Sequence, residues 1–229
     1  MFEYAKVTLL SMTPNPDQLI ERAGRISHKS EHKIKEGSAE KFIKKYALKL
    51  GHESILEHAN VTFLIKNISR VSSHQVVRHR LASYTQVSQR VVDPSGYIIP
   101  PKLLGVDRDY YSRSVERSIN HASTIEGLGG LQEDVRYLWP NAISTELIMT
   151  INFRSLRNMF KERLSKGAQW EIKTLVCCMY LILRDKTCCF DDEIDLWVNA
   201  HSLLLNEYNI MIDVDETNDF AYGYYIGGE

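Results

Sequence analysis

Every residue from 175 to 183, "LVCCMYLIL", is apolar. A helix of that composition has no polar face to turn to water, so it must be covered on nearly all sides. With its flanks, "AQWEIKTLVCCMYLILRDK", the segment reads as one long helix at the centre of the core, and the other elements have to wrap it. The two cysteine pairs, Cys177-Cys178 and Cys188-Cys189, fit that setting as small hydrophobes. Neighbouring cysteines rarely bridge without strain, and the two-residue spacer usual between zinc-ligating cysteines is missing. Neither a disulfide framework nor a metal site is expected.

Periodicity and punctuation outline the wrapping. Residues 5–12 predict a strand, and a helix starts near Asn15 with Pro16 in its first turn. Ser38 heads a second helix, apolar at 42, 43, 46, 47 and 50, that ends at Gly51. Residues 60–67, β-branched and aromatic, predict a strand. Ser69 and Ser72 are candidate caps of a helix running to 79 or 80, after which the chain reads as a loop as far as the extended "GYIIPP". Helices follow at 107–127 and 130–138, separated by "GLGG" and stopped by Pro140. A strand at 144–152 leads into the amphipathic helix "FRSLRNMFKERLSK". The acidic, Gly-rich tail from Asp213 is expected to be mobile. No repeat or Pro/Ser-rich linker divides the 229 residues, which predicts a single α+β domain over 1–229.

Hydrophobic residues make up 44% and charged residues 25%, as in ordinary globular chains, and the formal net charge is −1. No global field steers such a chain to nucleic acid or to an anionic membrane, so any anion site must be local. No segment approaches the ~18 apolar residues of a membrane span, and "MFEYAKVTLL" lacks a signal-peptide pattern; a cytoplasmic address is the default expectation.

One stretch concentrates positive charge. "VVRHRLASYTQVSQRVV" (76–92) holds Arg78, His79, Arg80 and Arg90 without one carboxylate. Solvated charge runs normally mix signs, so these cations read as reserved for anionic ligands. Backbone phosphate cradles are absent: there is no Gly-x-Gly-x-x-Gly after a strand and no Gly-Lys-Ser/Thr loop, and "GLGG" lies between helices. Phosphates would have to be held by side chains. On a helix Gln75 and Arg78 share a face, whereas Arg78 and Arg80 diverge by roughly 200°. Arg154 and Asn158 also share a face, with Arg163 about 180° away. Two Arg-bearing segments, each pointing two ways, predict two anionic ligands side by side. In "GHESILEH" (51–58) the two histidines are not at the i, i+4 spacing that aims both at one metal. His52 facing a flat aromatic ligand, or a plain polar helix end, are both open readings.

"RHRLASYTQVSQR", Arg-His-Arg, seven residues, then Ser-x-Arg, resembles the signature of the flavin-dependent thymidylate synthases, the ThyX family. "GHESILEH" resembles the family's Gly-His-x-(Ser/Thr)-x-x-x-His segment, and "EDVRYLWP" its Arg-containing segment. "INFRSLRNMFKERLSKGAQWEI" resembles its Asn-x-Arg-Ser-x-x-Asn…Arg…Ala-Gln-Trp-Glu-Ile stretch, so that the likeness covers residues from about 20 to about 175. The resemblance implies a mixed or antiparallel sheet flanked by helices, in a homotetramer whose sites are shared between subunits. It implies reductive methylation of dUMP to dTMP, with 5,10-methylenetetrahydrofolate as carbon donor and NADPH-reduced FAD as hydride source.

Carried over position by position, the resemblance implies FAD contacts from Ser54, Arg78, His79, Arg80 and Gln86, with Asn152, Phe153, Arg154 and Asn158 of another chain. Ser27 and Glu57 match positions near the flavin. The dUMP would meet Gln75, Val76, Val77 and Arg78 of one chain and Gln86, Val87, Ser88, Gln89 and Arg90 of another, with Arg136 and Arg163 completing the site. His52 matches the residue beside the flavin and folate rings. The four cysteines sit in apolar surroundings that oppose a thiolate, so polarisation of the uracil by Arg163 replaces nucleophilic attack. Ser88 has no general base placed beside it and reads as a phosphate donor with Arg90. Thr85 and Gln86 stand where some relatives carry Asn and Glu, and Gly167 where some carry a His near the flavin. Two other readings are a flavin- or nucleotide-binding paralogue without synthase activity, and an RNA-binding module, which the net charge opposes.

Overall fold

The computed structural model describes residues 5–192, 194–199, 210–214 and 221–226. Its backbone is one 6-stranded sheet, in the order β3-β4-β2-β1-β6-β5, with every pair antiparallel. The strands are β1 (Ala5–Met12), β2 (Asn60–Ser69), β3 (Ala82–Gln86), β4 (Ser144–Asn152), β5 (Ile210–Val214) and β6 (Ala221–Ile226). The helices are α1 (Pro16–Ile26), α2 (Ser38–Ile43), α3 (Arg70–Val76), α4 (Gly105–Gly127), α5 (Gln132–Val135), α6 (Phe153–Arg163) and α7 (Trp170–Leu183). Among the described residues no helix is long and apolar enough to cross a membrane.

The period of two along the central strands selects the buried face. Val61, Phe63 and Ile65 on β2 stand opposite Ile151, Met149 and Leu147 on β4, and all six are buried. α7 lies on the core side, against β1, β6, α3 and α6. Twelve of its 14 residues are buried, as an apolar circumference requires. Each buried Leu, Ile, Val or Met contributes about 1.5–3 kcal/mol. Gln169 starts the helix by accepting the Glu171 and Ile172 N–H groups at 3.0 and 3.2 Å.

One carboxylate ties this core helix to the rest. Glu171 is 1% exposed; its Oε1 accepts the Ser69 N–H at 2.7 Å and its Oε2 the Ser69 hydroxyl at 2.5 Å. Ser69 Oγ in turn accepts the Ser72 N–H at 3.0 Å, which caps α3. Burial pushes the Glu171 carboxyl above its ordinary pKa, while the two bonds from Ser69 pull it back.

Several expectations change. The helix capped by Ser69 ends at Val76 instead of 79 or 80. The Tyr84 hydroxyl lies at 3.0 Å from the Val76 carbonyl and 2.8 Å from the His79 carbonyl, and takes over where the helical ladder stops. The segment read as a loop contains β3, whose Ala82, Tyr84 and Gln86 are half-buried between exposed Ser83 and Thr85. A period of two was present there, but polar residues masked it and its partner β4 is far off in the chain. α2 continues as a π-helix over Lys44–Lys49 before Gly51 turns at φ 74°. The helix expected at 130–138 is α5 followed by a 3₁₀ turn, Arg136–Leu138. "GYIIPP" contributes one bridge, Tyr97 to Ile143. Of the tail from Asp213, residues 213–214 end β5 and 221–226 form β6, which pairs with β1; the rest of the segment expected to be mobile, 215–220 and 227–229, lies outside the described residues.

Replacing Glu171 with Ala would leave two Ser69 donors unanswered beside a void, and should cost about 2–4 kcal/mol in urea unfolding. Ser69→Ala, which removes both the cap of α3 and the hydroxyl donor to Glu171 Oε2, should cost about 2–3 kcal/mol.

Candidate active site

Three segments converge on a cavity of about 860 Å³. The first is α6, begun by Asn152, whose Oδ1 accepts the Ser155 N–H at 2.8 Å. It presents Arg154, Asn158, Glu162 and Arg163 to the cavity. The second is Arg78, His79 and Arg80, just past α3, and the third is the 3₁₀ turn Glu53–His58, with Glu53 and Glu57. Helix geometry had separated Arg78 from Arg80 and Arg154 from Arg163. Because α3 stops at Val76, Arg78 and Arg80 are not on a helix, and both reach this cavity. Arg163, at the far end of α6, reaches it by folding its side chain against His79.

Carboxylates missing from the basic stretch in sequence arrive in space. Glu133 pairs with Arg90 at 2.6 Å, so that cation does not wait without a partner as the local composition had implied, and Glu57 pairs with Arg154 of α6 at 2.5 Å. Both pairs are exposed and contribute little to stability, about 0–1 kcal/mol each, which leaves the arginines exchangeable. Arg157, which sequence reading passed over, is 1% exposed and donates to the Cys189 carbonyl at 2.6 Å and to Asp192 at 2.5 Å. Its Nε lies 3.5 Å from Glu53, which Lys161 also contacts at 3.2 Å, so α6 and the 3₁₀ turn are held together beneath the cavity. The available signal was spacing: Arg157 is four residues after Phe153 and three before Phe160, both in the core, so a charge occupies the inward face.

The other sequence candidates lie apart from this cavity. Ser27, His52 and Ser54 line a second one of about 590 Å³, together with Arg25, Phe42 and Tyr46. Ser88 and Arg90 line a third of about 380 Å³ beside Glu133. Arg136 donates through Nε to the Glu133 carbonyl at 2.9 Å, so one residue holds both Arg90 and Arg136. Gln86 donates to Thr145 at 3.2 Å, while Gln75 offers its carbonyl to Arg163 at 3.4 Å. Val77 and Gln89 are half-buried and Val87 is exposed at the surface. Val76 and Phe153 are fully buried, with Phe153 packed on Phe190 at 5.3 Å, so their side chains face the core and only their main-chain groups are left to meet a ligand. All four cysteines are buried free thiols. Burial raises Cys177, and pushes Cys178 up to about 12, so neither supplies a thiolate near neutral pH.

His79 is the buried group nearest the cavity's arginines. Its Nε2 accepts from Arg163 Nε at 2.9 Å, with Glu162 Oε2 4.0 Å away. Burial, then the Arg163 charge, lowers its pKa, against the opposite pull of Glu162.

A cavity edged by basic side chains and a buried imidazole is open to many anionic ligands; relatives narrow the choice. Residues 8–187 match the family described as thymidylate synthase complementing protein. The chain belongs to that family. A flavin-dependent thymidylate synthase of Clostridium tetani is 39% identical over 74% of this chain and 78% of its own length. One from Pyrococcus furiosus is 40% identical over 73% of this chain and 74% of its own. Among solved structures, the Helicobacter pylori flavin-dependent thymidylate synthase ThyX, complexed with FAD and dUMP, superposes with a TM-score of 0.65 at 23% identity, covering 77% of this chain and 91% of that one. That likeness extends to the fold.

Tyr84 joins the site to the sheet. Burial pushes its hydroxyl up to about 12, so it stays a donor at physiological pH. Tyr84→Phe should cost about 1–2 kcal/mol in thermal or urea unfolding, because the Val76 and His79 carbonyls lose that donor.

Proposed function

We propose that this chain is an FAD-dependent thymidylate synthase that converts dUMP to dTMP, taking the one-carbon unit from 5,10-methylenetetrahydrofolate and releasing tetrahydrofolate. The observation that carries the reading is the convergence of Arg78, His79 and Arg80 with Asn152, Arg154, Asn158 and Arg163 around one cavity, in a member of this family.

The cavity's chemistry fits a flavin dinucleotide. Its volume of about 860 Å³ lies within the range of cofactor pockets, and the guanidiniums of Arg78, Arg80 and Arg154 are exposed where a pyrophosphate needs charge. Asn158 and the Ser155 hydroxyl add neutral polar groups, and Glu57 would release Arg154 to the ligand. These residues would hold FAD, whose NADPH-reduced form would supply hydride to the one-carbon unit. The resemblance groups Ser54 and Gln86 with Arg78, His79 and Arg80 on one chain and Asn152, Arg154 and Asn158 on another. Both arginine groups line one cavity of this chain while Ser54 lies at a second, so Ser54 and Gln86 would hold the cofactor from a neighbouring subunit, with Ser27 alongside.

For dUMP, Arg90 and Arg136 supply charge to the phosphate, with Ser88 as a hydroxyl donor. Arg163 is placed to stabilise negative charge developing on the uracil, which raises the nucleophilicity of C5 without a covalent adduct. The raised pKa values of Cys177 and Cys178 support this route over a thiolate one. His52, exposed at the edge of the second cavity, would stack near the flavin and folate rings. The dispersal of these residues over three cavities supports a homotetramer in which neighbouring chains bring them together. A cytoplasmic site of action completes the reading.

The purified protein should be yellow, or take up added FAD, and form dTMP from dUMP, methylenetetrahydrofolate and NADPH. Arg163→Ala should retain flavin while lowering kcat by at least about a hundredfold. A protein that binds FAD and dUMP yet releases no tetrahydrofolate would refute the synthase reading.

A further inference from the structure

The arginines of this chain are held in two different ways. Arg90 and Arg154 rest on carboxylates, at 2.6 and 2.5 Å. Arg163 has no carboxylate partner among the described residues; it is held by the His79 imidazole at 2.9 Å and the Gln75 carbonyl at 3.4 Å, both neutral acceptors. A carboxylate would have fixed the guanidinium and cancelled its charge. A neutral acceptor fixes it and leaves the charge for a ligand.

The contact also sets the protonation of His79. Nε2 can accept from an arginine only through a free lone pair, so the ring is neutral and its proton sits on Nδ1. The backbone that carries the ring is held by β3, because the Tyr84 hydroxyl donates to the His79 main-chain carbonyl at 2.8 Å. The charged groups facing it are Arg163 and Glu162, both on α6, with Arg78 and Arg80 flanking it along the same cavity wall.

We infer that His79 is a positioning residue for Arg163: its neutral imidazole holds the guanidinium toward the nucleotide, and protonation of His79 releases it. The inference rests on the reading of Arg163 as the uracil-polarising group. Protonation removes the acceptor and puts a second cation against Arg163. The direction of the pH effect follows. Burial and Arg163 hold His79 below the ordinary histidine value of about 6.5, so the contact is intact at neutral pH and is lost on the acid side. The unfolded chain takes up this proton first, so the folding stability that His79 contributes also falls as pH drops below about 6.5.

The test compares wild type, His79→Gln and His79→Ala from about pH 5 to about pH 8. The readouts are kcat and KM for dUMP in the FAD-loaded protein, and dUMP affinity by calorimetry in the flavin-free protein. Wild type should lose kcat and dUMP affinity together on the acid side, with a midpoint below about 6.5. His79→Gln, whose amide oxygen accepts from Arg163 and does not titrate, should lose that acid limb in both readouts and keep at least about a tenth of the wild-type kcat. His79→Ala should lose about tenfold or more in kcat at neutral pH and approach the wild type on the acid side, where protonation has already released Arg163. An active wild type whose acid limb persists unchanged in His79→Gln overturns the inference alone, as does His79→Ala with wild-type kcat at neutral pH. A folded, FAD-loaded wild type that forms no dTMP overturns the functional reading, and the inference with it. If His79→Gln takes up no FAD, the calorimetric pH profile decides.

Discussion

The bond network between Glu171 and Ser69 joins what the chain must bury to what it must expose. α7 has to lie beneath the sheet because residues 175–183 are apolar on every side, and Glu171 stands in its first turn. From there the carboxylate grips Ser69, the last residue of β2 and the cap of α3. Residues 75–80, which carry the basic triplet, therefore take their position from the core helix through a single buried acid. Tyr84 closes the other side of the same turn by bonding the Val76 and His79 carbonyls. The basic segment is thus held at both ends by hydrogen bonds from within the fold.

Regular elements were legible wherever hydrophobic periodicity and burial agreed. β1, β4 and α7 follow their sequence patterns closely because each has a face, or a whole circumference, that only the core can accept. β3 was not legible, since its sequence is polar and only the β4 partner gives it a reason to be extended. The end of α3 was misplaced for a related reason: it depends on a tyrosine hydroxyl eight residues beyond Val76. The site shows the same division. The family resemblance named Arg78, His79, Arg80, Asn152, Arg154, Asn158 and Arg163, which line the main cavity, but a helical wheel drawn through residue 80 did not apply to Arg78 and Arg80, because the helix stops at Val76. The role of Arg157, and the carboxylates that answer Arg90 and Arg154, come from contacts too distant in sequence for spacing to reveal.

Charge in this protein is arranged locally under a formal net of −1. Weak, exposed ion pairs keep Arg90 and Arg154 soluble and ready to exchange, whereas Arg157 is buried and committed to the Cys189 carbonyl and Asp192. Burial, pairing and neutral support therefore give chemically identical side chains three separate duties.

The π-helical segment over Lys44–Lys49 has a further consequence. Each helical residue turns the chain by about 100°, so a segment wound more widely than an α-helix changes the azimuth of everything that follows it. Tyr46 on that segment and His52 just beyond it both border the second cavity. The segment acts as a phase shifter between α2 and the Glu53–His58 turn. Removing one residue there would leave the core contacts of α2 in place yet aim His52 at a different quarter of the surface. The length of this segment, as much as the identity of the histidine, sets where that imidazole points.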